Sequence, residues 1–92
     1  MLYILICKDK PNAQELRQSV RQDHLQFLAT RDVRFAGPML SDDESQMIGS
    51  VVVVDCPTMA DAQALAAADP YKQADLFAEV TIHPFKQAIP GV

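Results

Sequence analysis

Two short and almost uninterrupted apolar runs limit the folds that this chain can adopt. The runs are LYILIC at 2–7 and MIGSVVVVDC at 47–56, both rich in aliphatic and β-branched residues. A strand with one solvated face alternates polar and apolar residues, so these runs predict strands that are covered on both faces. In a chain of 92 residues, helices can cover one face of such a sheet, and other apolar material is needed on the second face.

The segments around these runs predict the remaining elements. In chain order, the predicted elements are a strand at 2–7, a helix at 12–31, a strand at 33–40, a strand at 47–56, a helix that ends near 68, a short turn at 69–74 and a strand at 76–85. Gly37-Pro38 predicts a bend or bulge in the second strand. Thr58 and Asp61 have the spacing of a capping box, which opens the second helix.

The order β-α-β-β-α-β is that of a ferredoxin-like α+β fold, an antiparallel sheet with two helices on one face. The whole chain, 1–92, is expected to form this single domain. The right-handed crossover rule is taken to make the first and third strands a parallel pair at the centre. In the last strand, Val80 and Ile82 are expected on one face, and Phe77 and Phe85 on the other. A second copy of the chain is expected on the open sheet face, in an isologous homodimer.

Charge and composition disfavour several classes of function. The net charge of −4 argues against a nucleic-acid partner and against anionic membrane surfaces. No apolar run approaches the roughly 18 residues of a transmembrane helix, and the apolar start lacks the cationic lead and cleavage site of a signal peptide. Cys7 and Cys56 are therefore interpreted as buried, reduced thiols of a cytoplasmic protein. The sequence has no glycine-rich phosphate loop and no metal-ligand cluster, so neither a cofactor nor a metal is expected.

The first helix carries charged residues beside its apolar stripe. At about 100° per residue, Leu16, Val20 and Phe27 form the stripe that is expected to face the core. The neighbouring line consists of Arg17, Arg21, His24 and Leu28. Like charges at helical spacing repel each other, so stability alone gives little reason for this choice of residues.

These polar residues also have ordinary structural interpretations. Arginine stems extend along apolar surfaces to reach water, and Glu15 and Asp23 are near enough in sequence to screen the two charges. A histidine on a half-buried face is most often a hydrogen-bonded structural residue. His83, near the end of the last strand, is expected in solvent, with the dimer interface as the alternative, and Ser50 has no identifiable base.

The second helix ends its inward face with a carboxylate. The i, i+3, i+4, i+7 face of this helix consists of Ala62, Leu65, Ala66 and Asp69. Pro70 stops the helix, and Asp69 can act as the N-cap of the turn that begins there. A carboxylate has two oxygens, so this role leaves room for a second one.

A contact between His24 and Asp69 is expected from this placement. Both helices are expected to run against the central strands, with their C-terminal halves side by side. A carboxylate bonded to one ring nitrogen fixes the tautomer of a histidine and raises the basicity of the other nitrogen. That pair suits a general acid/base, and Arg17 and Arg21 lie near enough to hold an anionic substrate or to stabilise an enolate or phenolate. Tyr71 either lines the pocket, bonds a substrate oxygen or is a packing residue.

Six segments form a series along the chain. They are MLYILICKDK at 1–10, SVRQDHL at 19–25, AGPM at 36–39, GSVVVV at 49–54, AAADPY at 66–71 and VTIHPFK at 80–86. With these segments in this order, the chain resembles the YciI-like family of small dimeric α+β barrel proteins over nearly its full length. It departs from the family pattern at Gln22 and Asp23, where relatives often have Pro and a small residue, and its 40–47 loop is shorter than in some relatives.

This resemblance implies a ferredoxin-like fold, two copies joined through their sheets, and an active site around the family's His and Asp, which match His24 and Asp69. It also implies lyase or isomerase chemistry on small cyclic compounds. The leading hypothesis is a cofactor-independent enzyme in which His24 is the base, Asp69 orients it, and Arg21 with Arg17 holds an anionic group. The alternative is a non-catalytic or accessory domain that binds a small molecule in the same pocket.

Overall fold

The predicted order of elements is confirmed in a computed structural model that describes residues 1–91. The elements are β1 (Leu2–Asp9), α1 (Gln14–Ala29), β2 (Val33–Leu40), β3 (Met47–Asp55), α2 (Met59–Ala68), α3 (Pro70–Gln73) and β4 (Phe77–Phe85). None of the helices within residues 1–91 combines the length and the apolar character needed to cross a membrane.

The four strands form one antiparallel sheet in the order β2-β3-β1-β4. The first and third strands are its central pair, but they are antiparallel, so the prediction of a parallel pair is wrong. Each helical crossover joins strands that are parallel without being neighbours, β1 with β2 and β3 with β4, and the β2–β3 hairpin reverses the direction between them. The helices α1 and α2 consequently return across the sheet in opposite directions.

One face of the sheet packs against the helices and forms the core. Its central pairs are Tyr3 with Val54, Leu5 with Val52 and Cys7 with Ser50. The helices contribute Leu28, Ala62, Leu65 and Tyr71. The main contacts between helices are those of the four-residue α3 with α1 and with α2, so this short element joins the two longer ones.

An irregularity in β4 changes which of its side chains point inward. Lys8 of β1 pairs with Glu79, but the next residue, Asp9, pairs with Phe77, so one residue of β4 is extra at this point. Phe77 therefore lies in the core together with Val80 and Ile82. The predicted placement of Phe77 on the opposite face is wrong, because the bulge shifts the alternation.

The bend expected at Gly37-Pro38 does not interrupt the pairing of β2 with β3. Gly37 pairs with Val51 and Pro38 with Ser50, and the register shifts lie instead at Val33/Phe35 and Met39/Leu40. Because β2 is an edge strand, a proline there removes no hydrogen bond that the sheet requires.

The second face of the sheet has no helix over it. Apolar side chains on this face, read from the pairing register, include Ile4, Ile6, Phe35, Val51 and Phe85. Phe35, on the edge strand β2, is 55% exposed, so a large apolar ring is left in contact with solvent. This face is the one on which the sequence predicts a second copy of the chain.

Candidate active site

The charged line of α1, apart from Arg21, faces the interior of the protein. Its buried residues are Arg17, His24 and Leu28, whereas Leu16 is 37% exposed. The expectation that the apolar stripe forms the innermost face of the helix is therefore wrong. Because an unpaired charge or polar group is costly to bury, the inward polar side chains need partners from other elements.

His24 is paired with Asp69. Its Nδ1 lies 2.8 Å from Oδ1 and 3.0 Å from Oδ2 of the carboxylate, and both side chains are buried. A carboxylate only accepts hydrogen bonds, so in the neutral imidazole Nδ1 carries the proton and Nε2 keeps the free lone pair. The contact between the two helices that the sequence suggested is present.

The route to this contact differs from the expected one. Since α1 and α2 run in opposite directions, their C-terminal halves are not side by side. Asp69 reaches His24 because the chain turns after α2 into α3, which packs beside α1. Asp69 is also the N-cap of α3, as predicted, with Oδ1 accepting the backbone N–H of Tyr71 at 2.9 Å. The same carboxylate thus starts a helix and fixes the histidine.

Tyr71 packs directly on the histidine. The two ring centroids are 4.0 Å apart at an interplanar angle of 19°, and Tyr71 is 1% exposed. The guanidinium carbon of Arg17 lies 4.5 Å from the centre of the Tyr71 ring. Burial raises the pKa of Tyr71 above its usual value, against the opposing effect of Arg17 and Arg21, so its hydroxyl stays protonated at neutral pH. The orientation of the imidazole is therefore set by a stacked ring as well as by a carboxylate.

Arg17 is held by an ion pair that the sequence reasoning missed. Its Nε donates to Asp9 Oδ2 at 2.6 Å and its Nη2 to Asp9 Oδ1 at 2.9 Å, and Nη2 also donates to Ser50 Oγ at 2.8 Å. Burial opposes the charge of Arg17, but the hydrogen bond and charge of Asp9 outweigh it and raise the pKa of the guanidinium. Asp9 has the same strand parity as Leu5 and Cys7, and this period-two pattern was a clue that it points inward.

Arg21 differs from Arg17 in being exposed. Among the residues that the structure describes, it takes part in no ion pair. It lines a cavity of about 140 Å³ between α1 and the sheet, which is also bounded by His24, Pro38, Ser50 and Tyr71. The cavity thus has one uncompensated positive charge at its wall.

The free nitrogen of His24 is accessible from this cavity. Within residues 1–91, no side-chain nitrogen or oxygen is both sealed from solvent and without a hydrogen-bond partner. Nε2 has no partner among the side-chain bonds of His24, which both involve Nδ1. The cavity that His24 lines is therefore the space from which Nε2 can be approached. Chemically, the arrangement offers an oriented base, a cation and a phenol hydroxyl around a small volume.

Comparison with known proteins assigns the chain to a family. A family model described as a YCII-related domain matches residues 1–86. The chain belongs to the YciI-like family. Protein YciI of Escherichia coli O6:H1 is 35% identical over 96 residues, which cover 95% of this chain and 98% of the relative. The family resemblance drawn from the six sequence segments is confirmed.

Solved structures show the same fold. 5-chloro-2-hydroxyhydroquinone dehydrochlorinase (TftG) of Burkholderia phenoliruptrix AC1100, in complex with 2,5-dihydroxybenzoquinone, superposes with a TM-score of 0.89 at 23% identity, covering 100% of each chain. An antibiotic biosynthesis monooxygenase superposes with a TM-score of 0.57 at 10% identity, covering 96% of this chain and 99% of the other. The YciI-like chain therefore has the fold of the dimeric α+β barrel proteins.

Proposed function

We propose that this YciI-like protein is a cofactor-independent enzyme that performs general acid/base chemistry on a small cyclic compound. The observation that carries the proposal is the fixed imidazole. His24 Nδ1 lies within hydrogen-bond distance of both oxygens of a buried carboxylate, and Nε2 is accessible from a cavity. A base held in one tautomer and one orientation is what proton transfer requires, and such a base contributes typically about 10²–10⁴-fold in rate.

The proposed reaction begins with removal of a proton from the ring compound. Nε2 accepts the proton from a ring O–H or C–H bond, and the electron pair of that bond remains in the ring system. In an elimination, this pair expels a leaving group from the ring as an anion. In an isomerisation, the protonated His24 returns the proton to a different atom of the ring. Asp69 stabilises the imidazolium that forms between these steps.

The neighbouring side chains are assigned different roles, because an acidic residue compensates the charge of one arginine but not that of the other. Arg21 has no acidic partner and lies at the cavity wall, so it is assigned to the anionic group of the substrate or to the developing oxyanion. Arg17 also lines the cavity, but Asp9 compensates its charge, so it supports the substrate mainly by shaping the wall. Tyr71 also lines the cavity and is assigned to donate its hydroxyl hydrogen to a substrate oxygen.

The size of the cavity and a structural neighbour favour a single hydroxylated ring. Sites for drug-sized ligands usually measure about 300–1,000 Å³, and the cavity of about 140 Å³ beside His24 is well below this range. TftG is by name a dehydrochlorinase and was solved with a dihydroxybenzoquinone. Elimination from a hydroxylated ring is a reaction of the class that the His24 geometry supports.

A comparison of substitutions at the two histidines tests the proposed base. Small hydroxylated and carboxylated ring compounds are screened by thermal shift, and compounds that bind are assayed for conversion by NMR. His24→Gln should lower the conversion rate by about 10²-fold or more. His83→Gln is the matched control, because His83 is exposed and lies away from the cavity; since it belongs to the open sheet face, where a homodimer is proposed below, the sedimentation of this variant is compared with that of the wild type. Conversion that survives in His24→Gln would eliminate His24 as the base. Compounds that bind the wild type but are never converted would favour a binding domain.

Substitution of Asp69 separates its two roles. Asparagine is as good an N-cap as aspartate, so Asp69→Asn should keep α3 and the melting temperature close to those of the wild type. It removes the negative charge that stabilises the imidazolium, so the conversion rate should fall. Asp69→Ala removes both functions and should also lower the melting temperature. An Asp69→Asn variant with full activity would show that the carboxylate is only a cap.

We also propose that the working unit is a homodimer joined through the open sheet face. The apolar side chains there, including Phe35 and Val51, would otherwise be left uncovered in water, and closed two-fold dimers are the commonest oligomers. Sedimentation of the wild type should give twice the chain mass of 10.2 kDa. Phe35→Glu should shift it toward the monomer, and a wild type that sediments as a monomer at micromolar concentration contradicts the proposal. Both cysteines are free thiols, which suits the reducing cytoplasm. Cys7 is buried as predicted, but Cys56 is only half-buried, so its predicted burial is wrong.

A further inference from the structure

A second and larger space adjoins the cavity that contains His24. It is a groove of about 440 Å³ between α1 and the turn that joins β2 to β3. Arg17 and Arg21 line both the groove and the cavity, so the two spaces meet at these side chains. A single ring in the cavity would leave this groove unfilled.

The wall of the groove on α1 is a row of amides. Gln14, Gln18 and Gln22 line it at intervals of four residues, and at 1.5 Å per residue the row extends for roughly 12 Å. Each of these side chains offers two N–H donors and one acceptor oxygen. Gln14 Nε2 donates to Gln46 Oε1 at 3.3 Å, which connects the first turn of α1 with the β2–β3 turn. The groove therefore has a polar wall along α1, and at one end a hydrogen bond joins this wall to the β2–β3 turn.

The charge of the groove is positive although the protein as a whole is acidic. Among residues 1–91, no aspartate or glutamate lines the groove, while the net charge of the chain is −4. Asp9 compensates Arg17, and Arg21 has no acidic partner within residues 1–91. One uncompensated guanidinium thus stands where the two spaces meet. A guanidinium binds a carboxylate through two parallel hydrogen bonds, and one positive charge matches a monoanion.

We infer that the groove is a second substrate subsite and that the substrate of the enzyme carries a short carboxylate side chain on its ring. The ring occupies the cavity beside His24, the side chain enters the groove, and the carboxylate pairs with Arg21. The glutamine row supplies neutral hydrogen bonds to the carboxylate oxygens at the end of this side chain. This inference rests on the proposed function for the position of the ring. It distinguishes this protein from TftG, whose bound 2,5-dihydroxybenzoquinone has no side chain.

A series of three probes tests the subsite by binding alone. The probes are hydroquinone, 3-(2,5-dihydroxyphenyl)propionic acid and the primary amide of that acid. Dissociation constants are measured by calorimetry or NMR titration on the full-length protein. The acid should bind roughly three- to tenfold more tightly than the amide, as expected for a partly exposed charge-assisted pair. This ratio should shrink between 50 mM and 500 mM salt, because added salt screens an exposed pair.

Two arginine variants identify the partner of the carboxylate. Arg21→Gln should bring the affinity for the acid down to that for the amide; because Arg21 also lines the ring cavity, the two affinities are compared within the same variant. Arg31→Gln is the matched control, because Arg31 is an exposed arginine that packs on Phe27 outside both spaces. Gln18→Leu should weaken both probes that have a side chain relative to hydroquinone. Each variant is compared with the wild type for melting temperature, so that loss of fold is recognised.

The failure of the subsite and the failure of the proposed enzyme give different results. Equal affinity for acid and amide, a preference that persists in Arg21→Gln, or no binding of any probe would overturn the subsite. Conversion of hydroquinone-type rings without any side-chain preference would leave the enzyme proposal intact and remove the subsite. A clear preference for the acid, together with no conversion of any compound by the wild type, would support the subsite and count against the enzyme.

Discussion

Removal of Asp9 from its buried ion pair with Arg17 should destabilise the fold strongly. Both side chains are 5% exposed, and two of the hydrogen bonds that Arg17 donates go to Asp9. In Asp9→Leu the guanidinium keeps the neutral Ser50 as its side-chain hydrogen-bond acceptor and the ring of Tyr71 beside it, but no counter-ion. Leaving a buried charge without its counter-ion costs about 3–5 kcal/mol. A small domain has about 5–15 kcal/mol of stability in total, so the loss is a large fraction of it.

The double variant Asp9→Leu/Arg17→Met should be more stable than either single variant. Replacement of both charges by apolar groups removes the uncompensated charge, and what remains is mainly the Ser50 hydroxyl without its donor, at about 1–3 kcal/mol. Urea unfolding followed by circular dichroism gives the free energy of unfolding of all four proteins. Arg34→Met, which breaks the exposed pair with Asp55, is the matched control and should cost at most about 1 kcal/mol.

Two results would refute this reasoning: a small loss of stability in Asp9→Leu, or losses in the two single variants that add up in the double variant. If Asp9→Leu costs no more than Arg34→Met, the ion pair is not sealed from water and its charges need no mutual compensation. If the two single costs add up in the double variant, the side chains stabilise the fold independently of each other. Either result would also mean that the charge of Arg17 is available to pair with a substrate.

Three further predictions concern the core, a glycine and a helix start. Burial raises the pKa of Cys7 from 9.0 to about 12. Between these two pH values the thiol ionises only in the unfolded chain, so the free energy of unfolding should fall by about 1.4 kcal/mol for each unit of rising pH. Cys7→Ala should flatten this slope in urea titrations at alkaline pH. Gly49→Ala should lower stability by about 1–3 kcal/mol, because an added Cβ would meet the backbone oxygen of Cys7 and the methyl group of Met39; unchanged urea unfolding would contradict it. Thr58→Ala should cost about 1 kcal/mol by loss of the N-cap bond to the Asp61 N–H, and Thr58→Ser should restore most of it.

The fold was largely predictable from local pattern. The apolar runs, the cap at Thr58 and the stop at Pro70 act within a few residues, and each predicts a structure that is present. The direction of β3 relative to β1 was predicted wrongly, because the β2–β3 hairpin and the two helical crossovers determine the strand directions jointly. The inward position of Phe77 depends on one extra residue in the pairing with β1, which the alternation of β4 alone does not reveal.

The site was predictable only in part, because its partners are distant in sequence. His24 and Asp69 could be named from helical spacing and the family resemblance. The inward rotation of α1 could not, since hydrophobicity favours Leu16 over Arg17 until the carboxylate of Asp9 and the hydroxyl of Ser50 are placed around the guanidinium. A charged residue becomes the better inward choice only when another element supplies its counter-ion. The stacking of Tyr71 on His24 likewise depends on the packing of α3 beside α1.

The shortness of α3 links the site to a local folding equilibrium. Four residues are far too few for a helix that is stable by itself, and this turn is held by the Asp69 cap and by backbone bonds from Gln73 to Asp69 and from Ala74 to Pro70, each 3.0 Å. When this turn opens, the carboxylate loses the geometry that fixes His24. The fraction of molecules in which Asp69 fixes the His24 imidazole can therefore be no larger than the fraction in which the α3 turn is closed. Hydrogen exchange of the Ala74 amide measures that fraction without any substrate, and a ligand that binds only the closed form would slow it in proportion to its occupancy.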